Sequence, residues 1–266
     1  MAIVVRLCFR LFLIILLFGY GLIIAAGIFP VVNGLCSSGD ARGRRDMLKI
    51  HWLKLFSDIL CLDIMVEGEL PRRGALLVCN HISWLDIIVI GRHLPGCFVA
   101  KSDISGWPVV GYLARQAGTI FIRRGDRRHI QATAEAMAGL LKDGRNIIAF
   151  PEGTTTCGDG VLHFHSSLFE PALLTQSIIQ PVALQYHGEA RAKAPFVGDD
   201  AFVPHLIRML ALDKIEVRLN FLPVIAGSGN ARHAVGIEAR DRIARKIAVA
   251  QALEPLAVDE KPQTVV

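Results

Sequence analysis

The stretch Ala75-Leu76-Leu77-Val78-Cys79-Asn80-His81-Ile82-Ser83-Trp84-Leu85-Asp86 decides the reading of this chain. An apolar run gives way to a polar turn that carries a histidine and, five positions on, an aspartate. The same transition recurs where Ile147-Ile148-Ala149-Phe150 is followed by Pro151-Glu152-Gly153-Thr154-Thr155-Thr156. Short continuous apolar runs predict strands buried on both faces. In open α/β sheets, ligand sites lie beyond the carboxyl ends of such strands.

Working outward, further strand-like runs cover residues 97–100, 119–122, 178–185 and 215–222. Helical stretches fall between them at 85–93, 109–116, 129–142, 168–176 and 232–252. This alternation predicts an α/β fold, with a mixed, largely parallel sheet flanked by helices. Residues 199–204 read as loop and 257–266 as a disordered tail. Glu238 and Asp241 each precede an arginine by four residues, Arg242 and Arg245, as ordinary surface pairs on the last helix.

The N-terminus has a different character. No charged residue occurs from 11 to 39, and roughly 20 helical residues suffice to cross the hydrocarbon of a bilayer. Mean hydropathy is +0.43, high for a purely soluble enzyme. Three readings compete: a cleaved signal peptide, a single spanning helix, and a helical hairpin dipping into one leaflet. The signal-peptide reading is disfavoured because the apolar run continues past Ala25-Ala26-Gly27 without a polar cleavage region. For the hairpin, Gly19, Gly21, Gly27, Pro30 and Gly34 would bend the segment, and residues 44–61 would form an amphipathic partner. In that partner Leu48, Trp52, Leu55, Phe56, Ile59 and Leu60 recur at helical spacing. The expected organisation is a membrane-anchoring part at 1–62, a catalytic α/β domain at 63–256 and the tail. Arg42, Arg44, Arg45 and Lys49 after the apolar segment, against Arg6 and Arg10 before it, favour a cytoplasmic domain.

Composition excludes some classes. The six cysteines form no C-x-x-C pair, so neither a disulfide framework nor a zinc site is expected. His163-Phe164-His165 has no third ligand at metal spacing and reads as loop packing. The net charge of +5 is not interleaved with aromatics as a nucleic-acid surface requires.

His81 is a candidate general base, because imidazole exchanges protons near neutral pH. A nearby Asp86 would orient it and stabilise the imidazolium, as in the supporting half of a serine-hydrolase triad. No G-x-S-x-G occurs, so the base would act on a substrate hydroxyl. The competing reading is that Ser83-x-x-Asp86 merely caps a helix. Glu152, Gly153 and Thr154 suit polyol or phosphate binding, or form an ordinary Pro-Glu-Gly turn. Arg123, Arg124, Arg127 and Arg128 follow the strand-like 119–122, and Lys101 follows 97–100. They are either phosphate ligands or a basic loop that is solvated or touches anionic lipid.

Taken in order, these blocks resemble the PlsC-like glycerolipid acyltransferases. Asn80-His81-x4-Asp86 resembles the first block of that family, and Gly118-Thr119-Ile120-Phe121-Ile122-Arg123-Arg124 the second. Phe150-Pro151-Glu152-Gly153-Thr154 resembles the third and Gln180-Pro181-Val182 the fourth. Lys101 and Gly106-Trp107-Pro108 through Gly111 also look familial. The resemblance implies an α/β domain with N-terminal helices in the membrane. It implies acyl transfer from acyl-CoA or acyl carrier protein to a lysolipid hydroxyl, with no acyl-enzyme; no metal or tightly bound cofactor is expected, since the sequence shows no ligand cluster. His81 and Asp86 would be the catalytic pair, and Lys101, Arg123, Arg124, Glu152, Gly153 and Thr154 would hold the acceptor's head group. The implied activity is that of a 1-acyl-glycerol-3-phosphate acyltransferase making phosphatidate, at the inner membrane with its site facing the cytoplasm. The third block commonly continues with arginine, where this chain has Thr155, and Arg123 stands where an acidic residue is usual. Some bacterial relatives with that threonine resemble the acyltransferases that complete ornithine lipids, which makes lyso-ornithine lipid the alternative acceptor. The region of His165 and Ser167 departs from a more usual lysine and glycine pattern. A non-catalytic lipid-binding protein keeping the fold is the reading from a different class.

Overall fold

The computed structural model describes residues 2–71, 74–123, 127–227 and 231–258. The tail expected from 257 therefore lies, from 259 on, outside the described residues.

The N-terminal apolar segment forms one long helix. α1 (Ala2–Ile23) passes through a π turn (Ile24–Ile28) into α2 (Phe29–Leu35). Pro30 has no N–H for the i−4 carbonyl, and a π turn just before it is a usual way to absorb that loss. The helix stays unbroken to Leu35, so the chain reverses at Cys36 and Ser37 and not within the glycine-rich stretch. The reason is that glycines in an apolar helix permit a bend without forcing one, whereas Ser37 actively starts a helix by accepting from the Asp40 N–H at 3.3 Å. α3 (Ser38–Ile59) runs back along the first helix. Trp52 Nε1 donates to the Leu17 carbonyl at 2.9 Å. Gly21 makes this approach possible, since a Cβ there would sit 2.8 Å from the indole nitrogen. Among the described residues, Ile3–Leu35 is the one helix long and apolar enough to cross a membrane. One stripe of it, Ile14, Leu17, Ile24, Ala25 and Phe29, is buried within the protein. Arg10, also buried, donates to the carbonyls of Leu210, Leu212 and Asp213, tying α1 to the α/β domain.

That domain is a seven-stranded sheet in the order β1-β7-β6-β2-β5-β3-β4. Its members are β1 (Leu62–Glu67), β2 (Leu76–Cys79), β3 (Cys97–Lys101), β4 (Ile120–Ile122), β5 (Ile147–Ala149), β6 (Ile179–His187) and β7 (Ile215–Phe221). All neighbours are parallel except β6 and β7, so β1 and β7 run against the other five. The helices are α4 (Leu85–Gly91), α5 (Val110–Gln116), α6 (Arg127–Lys142), α7 (Glu170–Leu174), α8 (Glu189–Lys193), α9 (Phe202–Ala211) and α10 (Arg232–Val258). The two-residue period of β2 sorts its side chains cleanly. Leu77 and Cys79 pack with α1, α3, α4 and α9, while Leu76 and Val78 pack with α6, α7 and α10. The sheet is thus covered on both faces, as the unbroken apolar runs predict.

Three elements differ from the sequence reading, one of them the short α8, which falls where no element was assigned. β1 was not foreseen: its Leu62, Ile64 and Val66 alternate with exposed neighbours, but it follows the amphipathic helix after only two residues, Leu60 and Cys61. Residues 202–204, the end of the stretch read as loop, open α9. A proline in the first turn costs no intrahelical hydrogen bond, so it is compatible with a helix there.

Candidate active site

β2 and β5 lie side by side and parallel, which brings the two polar turns together at their carboxyl ends. The chain then leaves on opposite faces. Leu85 and Ile88 after β2 join one core, while Phe164 and Phe169 after β5 join the other. Such a divergence of connections opens a crevice at strand ends.

Asp86 organises the first turn. Its Oδ2 accepts from His81 Nδ1 at 2.8 Å, from Ile82 N–H at 2.7 Å and from Ser83 N–H at 3.0 Å. Its Oδ1 accepts from the Tyr186 hydroxyl at 2.7 Å. The carboxylate has no solvent exposure. The capping reading and the histidine-orienting reading are therefore both present in one side chain. The serine arm of the capping box is not, for Ser83 Oγ is buried without a hydrogen-bond partner. Since Nδ1 faces a carboxylate, it carries the proton, and Nε2 is left as the acceptor.

The second turn fastens the first. Glu152 Oε1 accepts from His81 N–H at 2.7 Å, and its Oε2 accepts from Leu162 N–H at 2.8 Å. Thr156 N–H donates to the His81 carbonyl at 2.8 Å. Both main-chain groups of His81 are thereby held from the β5 turn, while its ring stacks on Phe150 with centroids 4.0 Å apart. Burial raises the Glu152 pKa above the ordinary carboxylate range, against the pull of these two N–H donors. The Pro-Glu-Gly turn itself is real, closed by Gly153 N–H on the Phe150 carbonyl at 3.0 Å, with Gly153 at φ +70°. We expect Glu152→Gln to set an amide N–H against one of the two main-chain donors. That costs about 2 kcal/mol in thermal or denaturant unfolding, and His81 mispositioning lowers acyl transfer alongside it.

A cavity of about 870 Å³ opens beside His81. Lys101, Gly153, Thr154, Thr155 and His165 line its polar end. Its largely apolar end is built from Phe18, Ile24 and Phe29 on the first helix together with Trp52 and Phe56 on α3, and the ion-paired Asp46 and Lys49 of α3 also line the cavity. Lys101 is exposed at the end of β3. Arg123 is exposed just past β4 and is not among the lining residues. Arg124 lies outside the described residues, as do the side chains of Arg127 and Arg128. Thr155 donates its hydroxyl to the Phe196 carbonyl.

Three contributors were not foreseen. Asn80 spans to β6, its side chain exchanging two hydrogen bonds of 2.9 Å with the main chain of Leu184. Tyr186 comes from that same strand. Cys79 lies buried beside the site, where burial and the charges of Asp86 and Glu152 push its thiol well up, so it is no thiolate nucleophile.

The acyltransferase family model matches residues 63–185, a span that contains both polar turns and Lys101 but stops one residue short of Tyr186 and leaves out Phe196 and the cavity's apolar end. The chain is 38% identical over 208 residues to the lyso-ornithine lipid O-acyltransferase of Pseudomonas aeruginosa, covering 77% of this chain and 80% of that protein. The chain belongs to the PlsC-type acyltransferase family. A second acyltransferase of the family, the 1-acyl-sn-glycerol-3-phosphate acyltransferase of Neisseria meningitidis serogroup B, is 33% identical over 208 residues, with 76% and 78% covered. The crystal structure of the 1-acyl-sn-glycerophosphate acyltransferase PlsC from Thermotoga maritima superposes with a TM-score of 0.70. It covers 93% of this chain and 98% of that one at 21% identity, a likeness of fold alone. This PlsC-type chain is accordingly an acyltransferase of the lysophospholipid kind, with the mixed α/β sheet and apolar N-terminal helix expected of it.

Proposed function

We propose that the chain transfers a fatty acyl group from a thioester, acyl-CoA or acyl carrier protein, to the free hydroxyl of a lyso-ornithine lipid. His81 Nε2 takes the proton of the hydroxyl as its oxygen attacks the thioester carbonyl carbon. The tetrahedral oxyanion collapses with cleavage of the C–S bond, and the leaving thiolate takes the proton back from the imidazolium. The products are an ester and a free thiol. Asp86 holds His81 and balances the charge it gains, and Glu152 and Thr156 hold its main chain. Lys101, Gly153 and Thr154 contact the acceptor at the polar end of the cavity, and the acyl chain occupies the apolar end.

The observation that carries the acceptor is Thr155. It is a neutral wall of the cavity, its hydroxyl directed to the Phe196 carbonyl, where the family commonly has a phosphate-binding arginine. The relative at 38% identity acts on lyso-ornithine lipid. The second reading, lysophosphatidate as acceptor, is favoured by Lys101 at the cavity and by the Neisseria relative. Purified protein offered each lysolipid with an acyl thioester tests the choice. Turnover of lyso-ornithine lipid without turnover of lysophosphatidate is expected, and the reverse would select the second reading. Thr155→Arg should then raise the lysophosphatidate to lyso-ornithine rate ratio by about tenfold or more, since a guanidinium fork matches phosphate oxygens.

We place the enzyme at the inner membrane with its site toward the cytoplasm, the α1–α3 hairpin resting in one leaflet. Two features support this over a perpendicular span: the buried stripe along the first helix, and the anchoring of Arg10 on the domain.

A further inference from the structure

Tyr186 sits on β6, and its hydroxyl lies 2.7 Å from Asp86 Oδ1, on the opposite side of the carboxylate from His81. The residue is 4% exposed. β6 pairs in parallel with β2 at Cys79 and Val182, so Tyr186 reaches the turn after β2 from beyond the end of that pairing. Its ring needs no hydroxyl to fill the core there, yet the hydroxyl is aimed at the buried carboxylate that holds the histidine ring. Burial and the charge of Asp86 raise the phenol's pKa, so it remains a neutral donor throughout the working range.

We propose that Tyr186 is a positioning residue of the acyl transfer: its hydroxyl fixes the Asp86 carboxylate and, by drawing on its charge, sets how strongly His81 holds a proton. This rests on the reading of His81 as the base. The physical chain is short. A donor on Oδ1 withdraws negative charge from the carboxylate, and less charge on Oδ2 stabilises the imidazolium less. The other titratable groups facing this unit are Cys79 from β2, Glu152 after β5, and Lys101 and His165 on the cavity wall. Asp159 and Arg191, 3.8 Å apart, line a small cavity beside Tyr186 together with Cys157 and His187. None of these changes when the phenol is altered, so a change in the pH profile reports the Tyr186–Asp86 bond.

The test is the acid limb of kcat/KM against pH for the full-length enzyme in detergent, in wild type, Tyr186→Phe and a form with 3-fluorotyrosine at 186. Tyr186→Phe should lower kcat by about tenfold and move the limb up by about 0.5–1 pH unit. The fluorinated phenol is a stronger donor of nearly the same volume, and it should move the limb down. A structural role alone would lower the melting temperature and the yield of active enzyme without opposite shifts. Unmoved limbs in the folded variants, or shifts in the same direction, overturn the proposal. Should Tyr186→Phe fail to fold, the fluorotyrosine shift decides by itself. His81→Ala is assayed in parallel: if it stays active, the base assignment has failed, and if it is dead while the limbs stay fixed, only the role of Tyr186 has.

Discussion

His81→Ala is expected to lower acyl transfer by about 10⁴-fold or more while the protein stays folded. The size follows from what the imidazole does. A lipid hydroxyl is a poor nucleophile until its proton has somewhere to go, and His81 is the group whose free ring nitrogen faces the cavity with its other nitrogen already committed to Asp86. Cys79 cannot substitute, because its thiol is held protonated by burial. Folding should survive, since the Glu152 and Thr156 bonds run to the main chain of residue 81 and not to its ring. The ring contributes its stacking on Phe150, worth about 1 kcal/mol. Circular dichroism and a melting curve on the purified variant check the fold, and thiol release from an acyl thioester checks the rate.

Asp86→Asn should cost about 10³–10⁴-fold, close to the histidine variant, with little loss of stability. The geometry makes this a cleaner experiment than it would be at most sites. Oδ2 receives three donors, so the oxygen of an asparagine is required on that side. Its amide nitrogen then falls where Oδ1 was, and the Tyr186 hydroxyl can turn to accept from it. The hydrogen bonds and the histidine tautomer are preserved, and what disappears is the negative charge that balances the imidazolium. Were Asp86 only a helix cap, the amide oxygen would still satisfy the Ile82 and Ser83 N–H groups and the rate would hold. Near-normal turnover in Asp86→Asn would therefore restore the capping reading.

The contrast between Asp86 and Tyr186 shows what a sequence carries and what it withholds. His81 and Asp86 are local: a five-residue separation in a strand-end turn is visible without a structure, and so is the apolar run that buries it. The strand pattern of the sheet was legible for a similar reason, because β2, β3, β4 and β5 are short bounded apolar runs, β6 is mostly apolar and β7 alternates apolar with polar residues. The Tyr186 and Asn80 contacts are not local. They exist because β6 pairs with β2 across 104 residues in the case of Asn80 and Leu184, and no spacing rule names the neighbour of a strand. A signal was present all the same. Once Gln180-Pro181-Val182 is placed beside β2, alternation puts Val182, Leu184 and Tyr186 on the face of Leu77 and Cys79. The hairpin was half legible. Its two helices follow from hydropathy and periodicity, but its bend was expected at glycines and occurs where Ser37 caps α3. The dual use of Asp86 could not be separated from sequence, because cap and histidine partner make the same demand on the same position.

The most direct test of the account is thiol release from an acyl thioester by the detergent-purified protein, with and without lysolipid, beside His81→Ala. The account predicts release that depends on the lysolipid and vanishes in the variant, with ester formed in equal amount. A burst of thiol before any lysolipid is added, or an undiminished rate in His81→Ala, would contradict direct attack of a hydroxyl activated by His81.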